Sequence, residues 1–249
     1  MGDIDRALAR AYARRGPAEA PTVLPPPHFP VEPPTRPIEP TVVLEWPATV
    51  RALERGHGDR FERLADALIL ARDRRQARVL FFTSCHRSEG RTTLVLTLAR
   101  ALARRPGRTL LVDADLSGPM LARLLGLRPR VGLDDVIEHG DATADAVIDA
   151  PDDHLAILPL RAPVARPREF LASPAWPTVM ARLRRDFDLV LVDGSPLFAG
   201  LSTPALPRGM DAAILVHNRS LTGARAVLRA REALEAGGIP LLGMAETFV

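Results

Sequence analysis

Hydrophobic residues along most of the chain form short continuous runs, and these runs alternate with stretches of helical periodicity. Runs such as LVLVD and AAILV have the length of buried strands, whereas the segments between them place apolar residues on one face of a helix. Buried strands that alternate with helices are typical of a parallel sheet covered on both faces. The pattern therefore predicts an α/β domain with a doubly wound, mostly parallel sheet, whose ligand site lies at the carboxyl ends of the strands.

The same pattern gives approximate bounds for each element. We predict strands at residues 78–83, 109–113, 155–159, 189–193, 212–216 and 239–244. We predict helices at residues 59–76, 92–104, 120–125, 142–149, 174–186 and 222–236. In the first of these helices the apolar residues form one stripe that should pack on the sheet: Phe61, Leu64, Ala65, Leu68 and Ile69.

The front of the chain differs in pattern from the rest, so we predict that the globular domain spans residues 48–249. Residues 1–15 place apolar side chains at helical spacing. This indicates either a weakly formed solvated segment or a short amphipathic helix that docks on a partner or an anionic membrane face. Residues 16–47 carry eleven of the 24 prolines, which is typical of a disordered, semi-rigid linker; a proline-ligand role is the alternative.

Composition narrows the class of protein. All 33 cationic side chains are arginine, set against 30 acidic ones, and aromatic residues make up 4% of the chain, so no basic stripe or stacking platform indicates nucleic-acid binding. The one cysteine excludes an intrachain disulfide and suits the cytoplasm. No run approaches the ~18 apolar residues needed to cross a bilayer. We therefore expect a cytoplasmic protein, which a partner can hold at the inner face of the membrane.

The stretch VLFFTSCHRSEGRTTL, residues 79–94, has the strand, turn and helix of a phosphate-binding loop. Gly90 and the hydroxyl pair Thr92 and Thr93 match the motif, but Cys85 occupies the place of its first glycine and Arg91 that of its lysine. Because a guanidinium is larger than an ammonium and is not equivalent in a tight turn, we expect weakened or altered phosphate contact. The candidate nucleotide-binding residues are Cys85, His86, Arg87, Ser88, Glu89, Gly90, Arg91, Thr92 and Thr93.

Carboxylates follow two of the predicted strands at the edge where this loop should lie. Asp113 and Asp115 end one strand and Asp193 ends another. A buried strand followed by aspartate can direct a carboxylate at Mg²⁺ beside bound phosphates, with the hydroxyl of Thr92 as a further ligand. Taken singly, each aspartate is equally well explained as a turn or helix-cap residue.

Residues 61–244 resemble the cytoplasmic bacterial tyrosine kinases of exopolysaccharide assembly, within the Min/Par-like group of P-loop ATPases. The motifs that carry the resemblance are TSCHRSEGRTT, LLVDADLSGP, GLDDVI and DFDLVLVDGSP. It implies a P-loop NTPase fold in which Thr92, Asp113 and Asp193 hold Mg²⁺ and ATP. It further implies that Asp113 and Asp115 are the catalytic residues that assist phosphoryl transfer, that Arg91 contacts the β- and γ-phosphates, and that the partner is a membrane-embedded polysaccharide co-polymerase.

The chain departs from the pattern of this family at several positions. Ser117 replaces the arginine that usually follows DADL. Asp59, Glu62 and Ala65 occupy the positions that the family uses for ring assembly, so the sequence neither predicts nor excludes a homo-oligomer. His86 and Arg87 differ from the residues of relatives that dimerise on ATP. The one tyrosine is Tyr12, so we expect no autophosphorylation of a tyrosine tail.

Four further residues are candidates for function that also have structural explanations. Cys85 is either an oxidation-sensing thiol or a small residue tolerated in a turn. His217 and Asn218 either line a base pocket or cap a loop. Ser195 lacks the spacing of a hydrolase nucleophile.

From these observations we expect a protein that binds ATP or ADP with Mg²⁺ and regulates exopolysaccharide synthesis or export, with weak or no kinase turnover. The alternative is a non-catalytic scaffold that docks on a membrane polysaccharide-assembly partner. A kinase that phosphorylates tyrosines of another protein is the third possibility.

Overall fold

A computed structural model describes residues 42–198 and 205–248. The predicted amphipathic helix at residues 1–15 and linker residues 16–41 lie outside the described residues. Within the described ranges, no helix has both the length and the apolar character required to cross a membrane.

The described chain alternates helices and strands. It begins with α1 (Ala48–Arg75), β1 (Val79–Ser84), α2 (Arg91–Ala103) and β2 (Thr109–Ala114). Shorter elements follow: α3 (Leu121–Leu124), α4 (Leu133–Glu138), α5 (Thr143–Ala146), β3 (Ile148–Ala150) and β4 (Leu155–Leu158). The remaining elements are α6 (Pro167–Ala172), α7 (Ala175–Asp186), β5 (Leu189–Gly194), β6 (Ala212–His217), α8 (Ala224–Ala236) and β7 (Leu241–Glu246).

The strands form one seven-stranded sheet in the order β3-β4-β2-β5-β1-β6-β7. Every neighbouring pair is parallel except β3 with β4, so the predicted fold class is confirmed. In the register of β2 and β5, Asp113 is directly opposite Asp193. The two strands therefore bring the predicted carboxylates to one level at one edge of the sheet.

Alternate residues of the strands face two separate hydrophobic cores. On one side, Leu80, Leu111 and Leu191 join the core that contains the buried face of α2. On the other side, Val79 and Val112 join the core that contains Trp176 and residues of α7 and α8. Because both faces of the sheet are covered, strands β1, β2 and β5 are buried along their whole length.

The predicted elements agree with the structure except at short or edge segments. The prediction of a helix over residues 142–149 is wrong at its end, since Ile148–Ala150 pairs with β4 as an antiparallel edge strand. Helix α1 begins at Ala48 rather than at residue 59 and is kinked at His57. Hydrophobic periodicity did not predict helices α4 and α6, although α4 coincides with the GLDDVI motif.

The end of the predicted linker packs on the domain. Leu44 and Trp46 are buried in the core that contains α2. The indole Nε1 of Trp46 donates a 2.8 Å hydrogen bond to Asp153, and the amide of Glu45 donates one of 3.0 Å to the carbonyl of Leu125. Apolar side chains just before α1 are therefore part of this core, although they lie within the predicted proline-rich linker.

Candidate nucleotide-binding site

The loop between β1 and α2 changes direction at residues with positive φ. Gly90 has φ of 82° and immediately precedes α2, and Ser88 has φ of 63°. A Cβ on Gly90 would lie 3.3 Å from side-chain atoms of Thr247 and Phe248, so the segment after β7 leaves little room for a side chain. Within the part of the chain that the structure describes, no side chain caps the start of α2. Its first amides and the positive end of its dipole are therefore available to an anion.

Arg91, at the lysine position of the motif, is turned inward beneath the loop. Its Nε donates a 2.6 Å hydrogen bond to Oδ1 of Asp193, and its Nη2 donates one of 2.8 Å to Oδ2 of Asp115. The residue is 7% exposed. Burial alone would lower the pKa of Arg91, but the charges of Asp193 and Asp115 raise it above its ordinary value. The guanidinium is thus a permanent cation between two buried carboxylates.

Both carboxylate oxygens of Asp193 accept hydrogen bonds from the side chains that begin α2. Its Oδ1 accepts from Arg91, and its Oδ2 accepts a 2.7 Å hydrogen bond from Oγ1 of Thr92. Two residues that the resemblance assigned to Mg²⁺ therefore contact each other directly.

Asp113 is held by main-chain amides. Its Oδ2 accepts hydrogen bonds of 2.9 and 2.8 Å from the amides of Met120 and Leu121, and its Oδ1 accepts one of 3.2 Å from the amide of Asp115. Burial, followed by the charge of Asp193, raises the pKa of Asp113 to about 7, although these amides oppose the rise. The carboxyl therefore titrates near neutral pH.

Thr92, Asp113 and Asp193 are brought together as predicted, but their oxygens do not fit a divalent cation in this arrangement. Mg²⁺ requires a near-octahedral set of oxygens at short distance. Here protein donors already occupy the carboxylate oxygens, and the guanidinium of Arg91 provides the positive charge. Across the described ranges, no group of three histidine, cysteine, aspartate or glutamate side chains is placed to hold a metal ion.

Arg87 connects the phosphate loop to the loop after β2. Its Nη2 donates a 2.6 Å hydrogen bond to Oγ of Ser117, and its Nη1 lies 3.5 Å from Oδ2 of Asp115. Its side chain is 49% exposed. The resemblance implies an arginine at position 117. Here the hydroxyl of Ser117 instead accepts a hydrogen bond from the guanidinium of Arg87, which lies on the opposite loop.

Glu89 ties the loop to the segment after β6. The residue is 1% exposed, and its Oε2 accepts a 2.7 Å hydrogen bond from the amide of His86. Its Oε1 accepts from the amide of Asn218 at 3.1 Å and from the hydroxyl of Thr222. The amide of His86 is therefore used within the protein. This role could not be predicted from the sequence, because Asn218 is 129 residues away and no local pattern signals such a contact.

His217 ends β6 at the same edge of the sheet. It is 9% exposed, and its Nδ1 is buried without a hydrogen-bond partner among the described residues. Water or a ligand commonly satisfies such an atom. The side chain of Asn218 accepts a 2.8 Å hydrogen bond from the amide of Ser220. Asn218 therefore acts as a loop cap, while His217 is still a candidate ligand contact.

Two other candidates have structural roles. Cys85 is fully buried, and burial together with the charge of Glu89 raises the pKa of its thiol to about 12. The interpretation of Cys85 as an oxidation sensor is therefore wrong, because such a sensor needs an exposed thiolate. The hydroxyl of Ser195 accepts a 2.9 Å hydrogen bond from the amide of Leu116, which joins the ends of β2 and β5.

Comparisons with known proteins agree on one group. No protein-family model matches the chain. Tyrosine-protein kinase CpsD of Streptococcus pneumoniae is 26% identical over 168 residues, which cover 67% of this chain and 74% of CpsD. Tyrosine-protein kinase YwqD of Bacillus subtilis is 28% identical over 169 residues, 68% of this chain and 71% of YwqD. The resemblance inferred from the motifs is confirmed.

Other relatives extend this comparison. The succinoglycan biosynthesis transport protein ExoP of Rhizobium meliloti is 31% identical over 156 residues, 61% of this chain and 20% of ExoP. The kinase domain of VpsO has a TM-score of 0.68 at 25% identity, covering 79% of this chain and 98% of that domain. MinD of Pyrococcus horikoshii, complexed with Mg-ADP, has a TM-score of 0.56 at 26% identity and covers 67% and 68% of the two chains. The fold is therefore that of bacterial tyrosine kinase domains and MinD-like P-loop ATPases.

Proposed function

We propose that this protein binds ATP or ADP at the loop of residues 84–91 and regulates exopolysaccharide synthesis or export, with weak or no kinase turnover. The tyrosine kinase relatives and the succinoglycan transport relative support the general class. The uncapped start of α2 and the positive φ of Gly90 support anion binding at the loop.

The single observation that carries the low turnover is the position of Arg91. Phosphoryl transfer depends on cations that bridge and neutralise the β- and γ-phosphates. The guanidinium is instead buried between Asp115 and Asp193. Arg91, at the lysine position, therefore pairs with carboxylates of the protein itself, and these carboxylates in turn bind the arginine.

Thermal melting tests the binding part of this proposal. ADP at 100 times its dissociation constant should stabilise the folded protein by ~2.7 kcal/mol. A melting temperature that does not respond to ADP or ATP would contradict nucleotide binding.

Steady-state ATPase assays test the turnover part. Arg91→Lys should raise turnover, because a compact ammonium cannot bridge both carboxylates as the planar guanidinium does, and Asp193 is released. Asp113→Ala should abolish any turnover that exists, since its carboxyl borders Asp193. If neither substitution changes a measured rate, that activity does not come from this site.

The second candidate is a scaffold that docks on a membrane polysaccharide-assembly partner without binding nucleotide. It is favoured by one observation: donors within the protein already occupy the carboxylate oxygens of Asp113, Asp115 and Asp193. An unresponsive melting temperature together with retained partner binding would support this candidate.

A further inference from the structure

We propose that the guanidinium of Arg91 takes the place of a divalent cation, so that the site binds nucleotide phosphates without Mg²⁺. This inference rests on the proposed nucleotide binding and specifies its cofactor requirement. It departs from the Mg²⁺ that the resemblance implies, and it depends on the contacts of the described residues alone.

Arg91 contributes one positive charge to the buried pair of carboxylates, Asp115 and Asp193. Asp115 and Asp193 have side chains that are 5% and 1% exposed, and buried carboxylates require a cation or hydrogen-bond donors. Arg91, with a side chain that is 8% exposed, contacts both at 2.8 and 2.6 Å. A divalent cation would therefore have to compete with the guanidinium for both carboxylates.

The oxygens that could coordinate a metal are also occupied. Arg91 and Thr92 occupy one oxygen of Asp193 each. On Asp115, Oδ2 accepts from Arg91, while Oδ1 accepts from the amide and hydroxyl of Ser117 at 3.4 and 3.2 Å. The hydroxyl of Thr92, which would be a metal ligand, donates its proton to Oδ2 of Asp193. Each oxygen of these two carboxylates therefore already accepts at least one hydrogen bond from the protein.

Donors for phosphate oxygens are left at the mouth of the loop. The start of α2 carries amides that no described side chain caps. Arg87 lies over the loop after β2, with its side chain about half exposed, and its contact with Asp115 is long, at 3.5 Å. Main-chain donors and this half-exposed guanidinium can hold phosphate oxygens without a bridging metal.

The test compares ADP binding in EDTA with ADP binding in millimolar Mg²⁺, by calorimetry and by melting. The wild-type protein should bind ADP with the same affinity in both media. Arg91→Lys should bind at least about tenfold more tightly with Mg²⁺ than without it, because the freed carboxylate then accepts a cation. Arg184→Lys is the matched control, since it changes an arginine that pairs with Asp211 away from this site. It should stay independent of the metal.

A second measurement needs no nucleotide. Mn²⁺ binding followed by electron paramagnetic resonance should show no bound ion at this cluster in the wild type. Arg91→Ala should gain a bound Mn²⁺, and the double variant Arg91→Ala with Asp193→Asn should lose it again. Should Arg91→Ala fail to fold, Arg91→Lys with and without Asp193→Asn provides the same comparison.

The outcomes separate the two proposals. ADP binding that requires Mg²⁺ in the wild type, or a wild-type Mn²⁺ signal that Asp193→Asn removes, would overturn the role of Arg91. Absence of ADP binding in both media would instead overturn the proposed function, and the Mn²⁺ comparison would still decide whether Arg91 replaces the cation.

Discussion

At the scale of single residues, the arginine at the lysine position of the motif determines how the start of α2 is joined to the carboxylates. A lysine ammonium is a point charge on a flexible stem, whereas the planar guanidinium presents several donors in fixed directions. Arg91 uses two of these directions to reach Asp115 and Asp193. Removing one partner of such a buried network typically costs about 3–5 kcal/mol, so the arginine is anchored in place.

The buried carboxyl of Asp113 makes stability depend on pH. Its pKa rises from the ordinary 3.8 to about 7 in the folded protein, so the folded state holds this proton more tightly than the unfolded state. The stability that Asp113 contributes is therefore complete below pH ~3.8 and is lost as the pH rises through ~7, by about 4 kcal/mol in total.

Urea unfolding between pH 4 and 8 measures this dependence on Asp113. Asp113→Asn removes the titrating group, so the free energy of unfolding should fall less with rising pH in the variant than in the wild type. Other carboxylates titrate in both proteins, and the difference between the two curves isolates Asp113. Parallel curves would contradict the raised pKa.

At the scale of elements, the long strands could be predicted from the sequence because burial on both faces demands continuous apolar runs. β3 could not be predicted in this way, since three residues at the edge of a sheet carry too little pattern, and pairing with Leu155–Leu158 determines their conformation. Helix α1 was predicted from residue 59 onward, where its apolar stripe begins. Its earlier part contains Gly56 and Gly58, which lower helix propensity.

The surroundings of Asp59, Glu62 and Ala65 on α1 explain why the role of these three positions in ring assembly cannot be carried over unchanged to this chain. Glu62 pairs with Arg104 and Arg105 of the same chain at 2.7 and 2.6 Å, and Ala65 is fully buried. Burial alone would raise the pKa of Glu62, but hydrogen bonds and charge from Arg105 and Arg104 lower it below its usual value. Of the three positions, Asp59 alone is exposed and free to contact another copy.

The neighbouring strands β1 and β5 bring Phe81 close to Gly194, and this contact gives a prediction. A Cβ on Gly194 would lie 2.0 Å from Cε2 of Phe81, and an aromatic ring buried in a core cannot yield easily. Gly194→Ala should therefore destabilise the protein by about 1–3 kcal/mol and displace the adjacent Asp193.

A double-mutant cycle checks this steric cause. Phe81→Leu shortens the side chain that the added methyl group would meet, so it should cost less stability in Gly194→Ala than in the wild type. Denaturant unfolding of the wild type, the two single variants and the double variant gives the coupling. Additive losses would show that the glycine is required for another reason.

At the scale of the whole molecule, the topology assembles the site from motifs that are distant in sequence. Motif spacing identified the loop, Asp113, Asp115 and Asp193, and the parallel sheet does place them together. The sequence could not show which polar atoms pair, because Arg91 is 24 residues from Asp115 and 102 from Asp193. Those pairings depend on side-chain geometry across three neighbouring strands.

The boundary of the domain is also a property of the whole molecule. Contacts separate the chain after Glu39, and the second unit spans Pro40–Val249. Trp46, which is 8% exposed, lies beneath the guanidinium of Arg100 at 4.7 Å from the ring centroid. The residues before α1 therefore contribute to the core of the second unit.

Two shortened chains test this boundary by urea unfolding. A chain that begins at Pro40 keeps Leu44 and Trp46, so its second unit should unfold with the stability it has in the full chain. A chain that begins at Ala48 loses both side chains, and since burying each is worth about 1.5–3 kcal/mol, it should lose at least about 3 kcal/mol. Trp46→Ala in the full chain is the control. It removes one of the two side chains together with its hydrogen bond to Asp153, so it should account for at least half of that loss. Equal stability of the two shortened chains would place the boundary at α1, where the proline-rich composition ends.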